Sequence, residues 1–300
     1  MPLPMPSSWL YSATLEPWEN FIRQRGAGMK HDLEIASGRA ALAIAHPGHE
    51  LRVHGWMQRA RPLVLVLTDG SGGQGSSRLA STERILRQTG ARPGCLFGRF
   101  PDRQIYQAVL EGNARLFLDL AVEVALELVR NHIEVVVGDA AEGAILTHDL
   151  WRGVVNRAIW LAQQSLGRPL PSYELLLEEP TTNPAASHAE ALLLRLSDAE
   201  LKGKIAAARS YPELSHEVEA AISSGGEEAL RSELFIPSQV REANADSFRS
   251  HHYELHGERQ VAAGIYSQVV RYHQHVLPIL QALQQGCRTT STGRKLQEAA

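Results

Sequence analysis

Several features that would indicate a particular class of protein are scarce in this sequence. It has two cysteines in 300 residues, Cys95 and Cys287, which are too few for a disulfide framework or a cysteine zinc ribbon and which suit reduced thiols. The net charge is −3, with charges of both signs dispersed along the chain, so no basic stripe indicates nucleic acid. These absences favour a small-molecule or glycan-like substrate over a polyanion.

Signals for export or for membrane insertion are also lacking in the pattern. The N-terminus has no basic stretch followed by a continuous apolar run, which a signal peptide would need. The most apolar candidate, residues 116–129, is interrupted by Asp119, Glu123 and Glu127 and is too short to span a bilayer. We therefore expect a cytoplasmic protein with no membrane partner. The pattern does not indicate an oligomeric state.

The sequence alternates between short apolar runs and segments with helical periodicity. Buried strands are predicted at residues 41–45, 63–67 and 133–137, with weaker ones near 95–97 and 173–177. Helices are predicted between them at 77–89 and 107–131. Near-continuous apolar strands suit a parallel sheet that is covered on both faces. The expected fold class is α/β, with an open, mostly parallel Rossmann-like sheet and helices on both faces.

The character of the chain changes after Pro180. Residues 181–187 are rich in Pro, Asn and Ser and read as a linker. Helices are predicted beyond it at 198–209, 212–222 and 258–285, the first of which opens with the capping box Ser197 to Glu200. We therefore divide the chain into an N-terminal extension (1–39), an α/β metal-site domain (40–180) and a mainly α-helical C-terminal region (181–300).

Candidate metal ligands follow the predicted strands. His46 and His49 come after the first strand, and His148 comes in the loop after the third. A pair of histidines three residues apart is by itself more often a surface or core feature. Here, however, the carboxyl ends of parallel strands meet at one edge, where ligands bind. Three imidazoles are a usual ligand set for a catalytic zinc ion. The sequence thus predicts Zn²⁺, or another divalent metal, at His46, His49 and His148.

Two segments, ALAIAHPGHE and LVLVLTDGSG, resemble the opening of the LmbE/PIG-L N-deacetylase superfamily. In that family the first strand ends in an AHPDDE-type motif and the second in a Thr-Asp/Asn-Gly turn. Later family features would correspond to Arg78 and Glu83, to Phe100-Pro101-Asp102 and to His148. The resemblance covers roughly residues 40–175, and its weight comes from the order of the short motifs.

The resemblance implies a role for individual residues. His46 and His148 would be the first and third metal ligands, and His49 would replace the aspartate that is the second. Glu50 would be the retained motif glutamate. Arg78 and Asp102 would bind substrate.

The general base of the family does not carry over, because Gly48 stands where the family has an aspartate. Another carboxylate would have to replace it, and the candidates are Asp139, Glu142, Glu50 and Asp69. We prefer Asp139 or Glu142, because their loop leads to His148.

The implied function is a metal-dependent hydrolase that removes an N-acyl group, such as acetyl, from a sugar or a sugar-linked metabolite. One alternative is a catalytically silent binding or accessory protein on the same fold. A second alternative is a nucleotide-dependent enzyme that uses the loop Gly70–Gly75, which satisfies G-x-G-x-x-G between a strand and a helix. The glycine loop follows the second strand, whereas a dinucleotide fingerprint follows the first, so a flexible loop is the favoured interpretation.

Overall fold

A computed structural model describes residues 39–72, 75–176, 191–238 and 251–285. The extension predicted for 1–39, apart from residue 39 itself, and the linker predicted for 181–187 lie outside these residues. No helix in the described part of the chain is both long enough and apolar enough to cross a membrane.

One sheet organises the described residues. Its strands are β1 (Ala40–Ile44), β2 (Leu63–Thr68), β3 (Arg92–Phe100), β4 (Val135–Asp139), β5 (Ser172–Leu175), β6 (Leu192–Arg195) and β7 (Ser232–Pro237). The spatial order is β3-β2-β1-β4-β5-β7-β6. The first five strands pair in parallel, and β7 pairs antiparallel with both β5 and β6.

Helices cover both faces of the sheet. They are α1 (His54–Ala60), α2 (Leu79–Thr89), α3 (Asp102–Leu110), α4 (Ala114–Arg130), α5 (Leu146–Leu166), α6 (Asp198–Arg209), α7 (Ser215–Gly225), α8 (His252–Ala262) and α9 (Leu277–Gln285). Alternate residues of each strand enter opposite cores. Ala41 and Leu65 pack with α4 and α5, whereas Leu42 and Val64 pack with α1. The predicted α/β class, with a mostly parallel sheet between helices, is confirmed.

Two of the long helices predicted from periodicity are wrong in extent. The stretch 107–131 is interrupted at Gly112, which has a φ of 63°. The next helix, α4, begins at Ala114 after the N-cap Asn113, whose side chain accepts a hydrogen bond from the N–H of Leu116 at 3.1 Å. The stretch 258–285 is interrupted after α8 near Gly264, which has a φ of 70°, and resumes through a π-helical turn at Tyr272–Val276. In both cases a glycine in the left-handed region ends the helix although the apolar spacing continues.

The C-terminal region is mainly helical, as predicted, but it also contributes strands that were not predicted. The capping box at Ser197 and Glu200 is present and opens α6. A 3-10 turn, Pro212–Leu214, precedes α7. The strands β6 and β7 extend the sheet beyond β5. A run as short as Leu192–Arg195 has no periodicity that separates a strand from part of a helix.

A buried ion pair attaches the C-terminal region to the start of α1. The carboxylate of Glu233, on β7, accepts the backbone N–H groups of Gly55 and Trp56, each at 2.8 Å. The ammonium of Lys204, on α6, donates to Glu233 at 3.0 Å and to the carbonyl of Arg52 at 2.8 Å. The first turn of α1 has no side-chain cap of its own. A carboxylate that is distant in sequence therefore satisfies its free N–H groups.

We expect Lys204→Met to lower the free energy of unfolding by about 3–5 kcal/mol, because it leaves the Glu233 charge buried without its partner. Urea-induced unfolding measures the change. Arg115→Met is the matched control, because Arg115 pairs with Asp119 on the exposed surface of α4 and its loss should leave the midpoint unchanged. Equal midpoints for the two variants would contradict a structural role for the buried pair.

Candidate metal centre

The carboxyl ends of the central strands bring the predicted site residues to one edge of the sheet. The chain leaves β1 into the turn that holds His46 and His49, and β4 ends at Asp139. His148 lies in the first turn of α5. Gly138 permits this close approach, because a Cβ atom there would lie 2.5 Å from the carbonyl oxygen of Ala43 on β1. The edge is thus built from β1, β4 and the start of α5.

The structure brings the three predicted histidines together. The ring centroids of His49 and His148 are 4.8 Å apart, those of His46 and His148 are 5.2 Å apart, and those of His46 and His49 are 5.5 Å apart. His49 and His148 are buried, and His46 is partly exposed. His46 is therefore the member of the cluster that reaches the protein surface.

Asp139 holds the turn after β1. Its Oδ2 accepts the backbone N–H of Ala45 at 2.7 Å and lies 2.8 Å from Nδ1 of His49. Asp139 is only 1% exposed. Since a carboxylate can only accept, Nδ1 of His49 carries the proton, and Nε2 is left with its lone pair.

Two of the imidazoles are kept neutral by their surroundings. Burial is the largest influence on His49 and lowers its pKa, although Asp139 partly opposes that effect. Burial, followed by the proximity of His49 and His46, places the pKa of His148 well below its ordinary value of 6.5. Neutral imidazole is the form that binds a metal ion.

His49, Asp139 and His148 form a buried group that could hold a metal ion, because each offers a ligand atom within 4.8 Å of the others. Within the described residues, Nε2 of His148 and Oδ1 of Asp139 are buried and have no hydrogen-bond partner. A buried polar atom without a partner is costly unless an ion or a water molecule satisfies it. The ligand set and these two atoms therefore fit a divalent cation.

His46 lies beside this group but is engaged by protein side chains. Its Nδ1 is 2.8 Å from Oγ1 of Thr68 and 2.9 Å from Oδ1 of Asp102. Its Nε2 is 2.6 Å from Oγ1 of Thr147. His46 as a metal ligand stays a prediction.

Glu50 is buried next to His49 and closes the turn. Its Oε2 accepts the backbone N–H of Gly48 at 2.6 Å. Burial raises the pKa of Glu50 to about 7, although Thr82 and the Gly48 N–H oppose the shift. Glu50 therefore helps to shape the turn that presents His49, and its predicted catalytic role stays a prediction.

The turn at Gly48 is closed by the C-terminal region. Gly48 has a φ of 108°, and a Cβ atom there would lie 2.6 Å from Cδ1 of Leu214. The hydroxyl of Tyr211 is hydrogen-bonded to Oγ1 of Thr82 at 3.0 Å beside the same turn. No local pattern in the sequence pairs Gly48 with Leu214, because they are brought together only by tertiary packing.

The remaining predicted carboxylates lie outside the metal-binding group. Oδ1 of Asp69 accepts the N–H of Ser71 at 3.0 Å within the glycine loop. Glu142 lies in the loop between β4 and α5, where its N–H donates to Asp149 at 3.0 Å. Asp149 also accepts the N–H of Gly143 at 3.1 Å and so holds the loop that leads to His148.

The two predicted substrate-binding residues differ in their surroundings. Arg78 precedes α2, and its side chain packs close to Gly70. Asp102 is buried at the start of α3, where its Oδ2 accepts the N–H of Gly72 at 2.8 Å. Substrate binding by either residue stays a prediction.

In the glycine loop, the backbone N–H groups of Gly72 and Gly75 are already used. The N–H of Gly72 donates to Asp102 and that of Gly75 donates to the carbonyl of Ser71 at 2.7 Å. A phosphate-binding loop needs such N–H groups to point at the ligand. Residues 73 and 74 of the loop lie outside the described residues. The observed contacts give no support to the nucleotide alternative.

We expect Gly48→Ala to destabilise the protein by about 1–3 kcal/mol, because the new Cβ atom overlaps Leu214 and the backbone adopts a positive φ. Gly112→Ala is the matched control: its φ is 63° and no atom lies within 4 Å of an added Cβ. Adding Leu214→Ala should recover about 1 kcal/mol of the Gly48→Ala cost but none of the Gly112→Ala cost. Additive costs in thermal unfolding of the double variant would show that Leu214 does not close this position.

Comparison with known proteins gives little further information. No protein-family model matches the chain. No curated protein matches it either. A similar solved structure is that of the conserved protein TT1542 from Thermus thermophilus, with 19% sequence identity and a TM-score of 0.46, and the match covers 71% of this chain and 99% of that one.

Proposed function

We propose that this protein is a zinc-dependent hydrolase that removes an N-acyl group, such as acetyl, from a sugar or sugar-linked metabolite. The observation that carries the proposal is the buried group of His49, Asp139 and His148, in which Nε2 of His148 and Oδ1 of Asp139 have no hydrogen-bond partner in the described residues. The acyl-sugar substrate rests on the resemblance of the sequence motifs to the LmbE/PIG-L deacetylases.

The proposed ligands are His46, His49 and His148. Imidazoles that share a tetrahedral zinc ion through Nε2 at about 2.0–2.1 Å have ring centroids about 5 Å apart. The three centroid separations, from 4.8 to 5.5 Å, support this arrangement. Asp139 lies on the Nδ1 side of His49, where a carboxylate commonly orients a zinc-binding histidine.

Asp139 is also the proposed general base. Its Oδ2 is occupied by Ala45 and His49, whereas Oδ1 is buried without a hydrogen-bond partner among the described residues. When bound, zinc would polarise a substrate carbonyl and lower the pKa of water towards about 7. Oδ1 of Asp139 would accept the proton of that water and pass it to the leaving amine. This role fills the place of the family's aspartate, which Gly48 and Leu214 exclude.

One observation favours a second function, a metal-binding protein without hydrolase activity. The side of the site at which the family places its base is closed by Leu214, so a substrate that approaches as in the family would contact an apolar side chain there. Activity measurements on the variants below distinguish the two functions.

We expect purified protein to contain one zinc or similar divalent ion per chain, and His49→Ala and His148→Ala to lose it. His46→Ala should lose it as well, because three imidazoles hold the ion. Elemental analysis measures the stoichiometry, and His216→Ala, which changes an exposed histidine on α7, is the control. Full occupancy in His148→Ala would rule out the site.

We expect Asp139→Asn to retain zinc but to lose about 10²–10⁴-fold in turnover, because the amide oxygen can still accept from Ala45 and His49 while the base at Oδ1 is gone. The measurement is acetate release from N-acetylated glycans with added metal. Loss of zinc in this variant would indicate that Asp139 is a metal ligand, which contradicts its proposed role as the base. A wild-type protein that holds zinc but releases no acetate would support the metal-binding function.

A further inference from the structure

Asp102 is buried between His46 and the glycine loop. It is 5% exposed. Its Oδ1 lies 2.9 Å from Nδ1 of His46, and its Oδ2 accepts the N–H of Gly72 at 2.8 Å. Oδ2 is therefore hydrogen-bonded within the protein, whereas Oδ1 lies beside Nδ1 of His46 without a well-directed hydrogen bond from any described residue. The substrate-binding role that the sequence motif implies does not account for this placement.

The surroundings of Nδ1 decide which nitrogen of His46 carries the proton. The hydroxyl of Thr68 donates to the carbonyl of Ala45 at 3.1 Å, so its oxygen accepts from Nδ1 of His46 at 2.8 Å. A second acceptor, the Asp102 carboxylate, lies at 2.9 Å. A deprotonated Nδ1 would direct its lone pair at these two oxygens, which is repulsive. The proton is therefore on Nδ1, and Nε2 keeps the lone pair.

That lone pair faces the hydroxyl of Thr147, at the side of His46 where the other two imidazoles cluster. Nε2 of His46 lies 2.6 Å from the hydroxyl of Thr147, which can donate to it, and Thr147 directly precedes His148. His49 also has a buried carboxylate at its Nδ1, that of Asp139, to which it is hydrogen-bonded at 2.8 Å. Two of the three clustered histidines thus have a buried carboxylate within 3 Å of Nδ1, although the hydrogen bond of His46 itself goes to Thr68.

We propose that Asp102 is a positioning residue, which fixes His46 in the Nδ1–H tautomer and aims its Nε2 at the metal site. The inference deepens the proposed function, on which it rests for the identity of the ion. A carboxylate behind a ligand histidine sets its ring orientation and tautomer and typically changes metal affinity by about 10–100-fold. The same carboxylate joins His46 to the glycine loop through Gly72.

The decisive variant is Asp102→Asn, which has nearly the same shape. The N–H of Gly72 is a fixed donor, so the amide oxygen faces Gly72 and the NH₂ group faces Nδ1 of His46. With the proton on Nε2, Nδ1 can accept from this NH₂ group and the hydroxyl of Thr147 can accept from Nε2, while the hydroxyl of Thr68 can turn from Ala45 to donate to Nδ1. We expect the tautomer to invert, which removes the lone pair from the metal site.

The tautomer is read from the imidazole ¹⁵N resonances of metal-free protein labelled at histidine, with His46 assigned by comparison with His46→Gln. Wild type should show a protonated Nδ1, and Asp102→Asn a protonated Nε2. Zinc affinity, measured by competition with a chromophoric chelator, should fall by about 10–100-fold. Thr68→Val is the control, because it removes one acceptor but keeps the carboxylate and should retain the wild-type tautomer.

An unchanged tautomer in Asp102→Asn, or an inverted one in Thr68→Val, would overturn the assignment. The resonances are recorded without metal, so they test Asp102 even if the wild-type protein proves to bind no zinc. In that case the proposed hydrolase function would be wrong, whereas the tautomer assignment would still stand. Zinc affinity equal to wild type despite an inverted tautomer would exclude His46 from the ligand set and Asp102 from its role.

Discussion

The carboxylate of Asp139 is the contact on which the candidate site depends. It stands at the end of β4, accepts the N–H of Ala45 at the end of β1 and faces Nδ1 of His49 in the following turn. One side chain therefore joins two neighbouring strands and orients a histidine. Burial makes an unpaired carboxylate oxygen costly, so Oδ2 of Asp139 requires both donors to be in place. The geometry of the turn and the chemistry of the site are consequences of the same interaction.

The fold could be predicted where the signal was local and long enough. The apolar runs of β1, β2 and β4 are buried on both faces, and the capping box at Ser197 marks the start of α6. Periodicity alone could not place the interruptions at Gly112 and Gly264, because the apolar spacing continues across them. The strands β6 and β7 were not predictable either, since their assignment depends on pairing with each other and with β5 and not on their own composition.

The sequence was sufficient to predict which residues cluster at the site. Parallel strands deliver their carboxyl ends to one edge, so His46, His49, Asp139 and His148 were expected together, and their side chains do converge there. Which group each carboxylate contacts was not predictable. Asp102 faces Nδ1 of His46, and Leu214 covers Gly48, through packing between segments far apart in the chain. Such contacts follow from tertiary structure, and one sequence carries no signal for them.

The place of β7 in the sheet has a consequence for how the chain is made. This strand lies between β5 and β6, and its Glu233 also satisfies the first amides of α1. During synthesis the earlier strands leave the ribosome first, so the outer edge of β5 stays unpaired until residues 232–237 have emerged. An open edge of this kind can pair with another chain. The sheet of the nascent chain is thus completed late, only after every helix up to α7 has been translated.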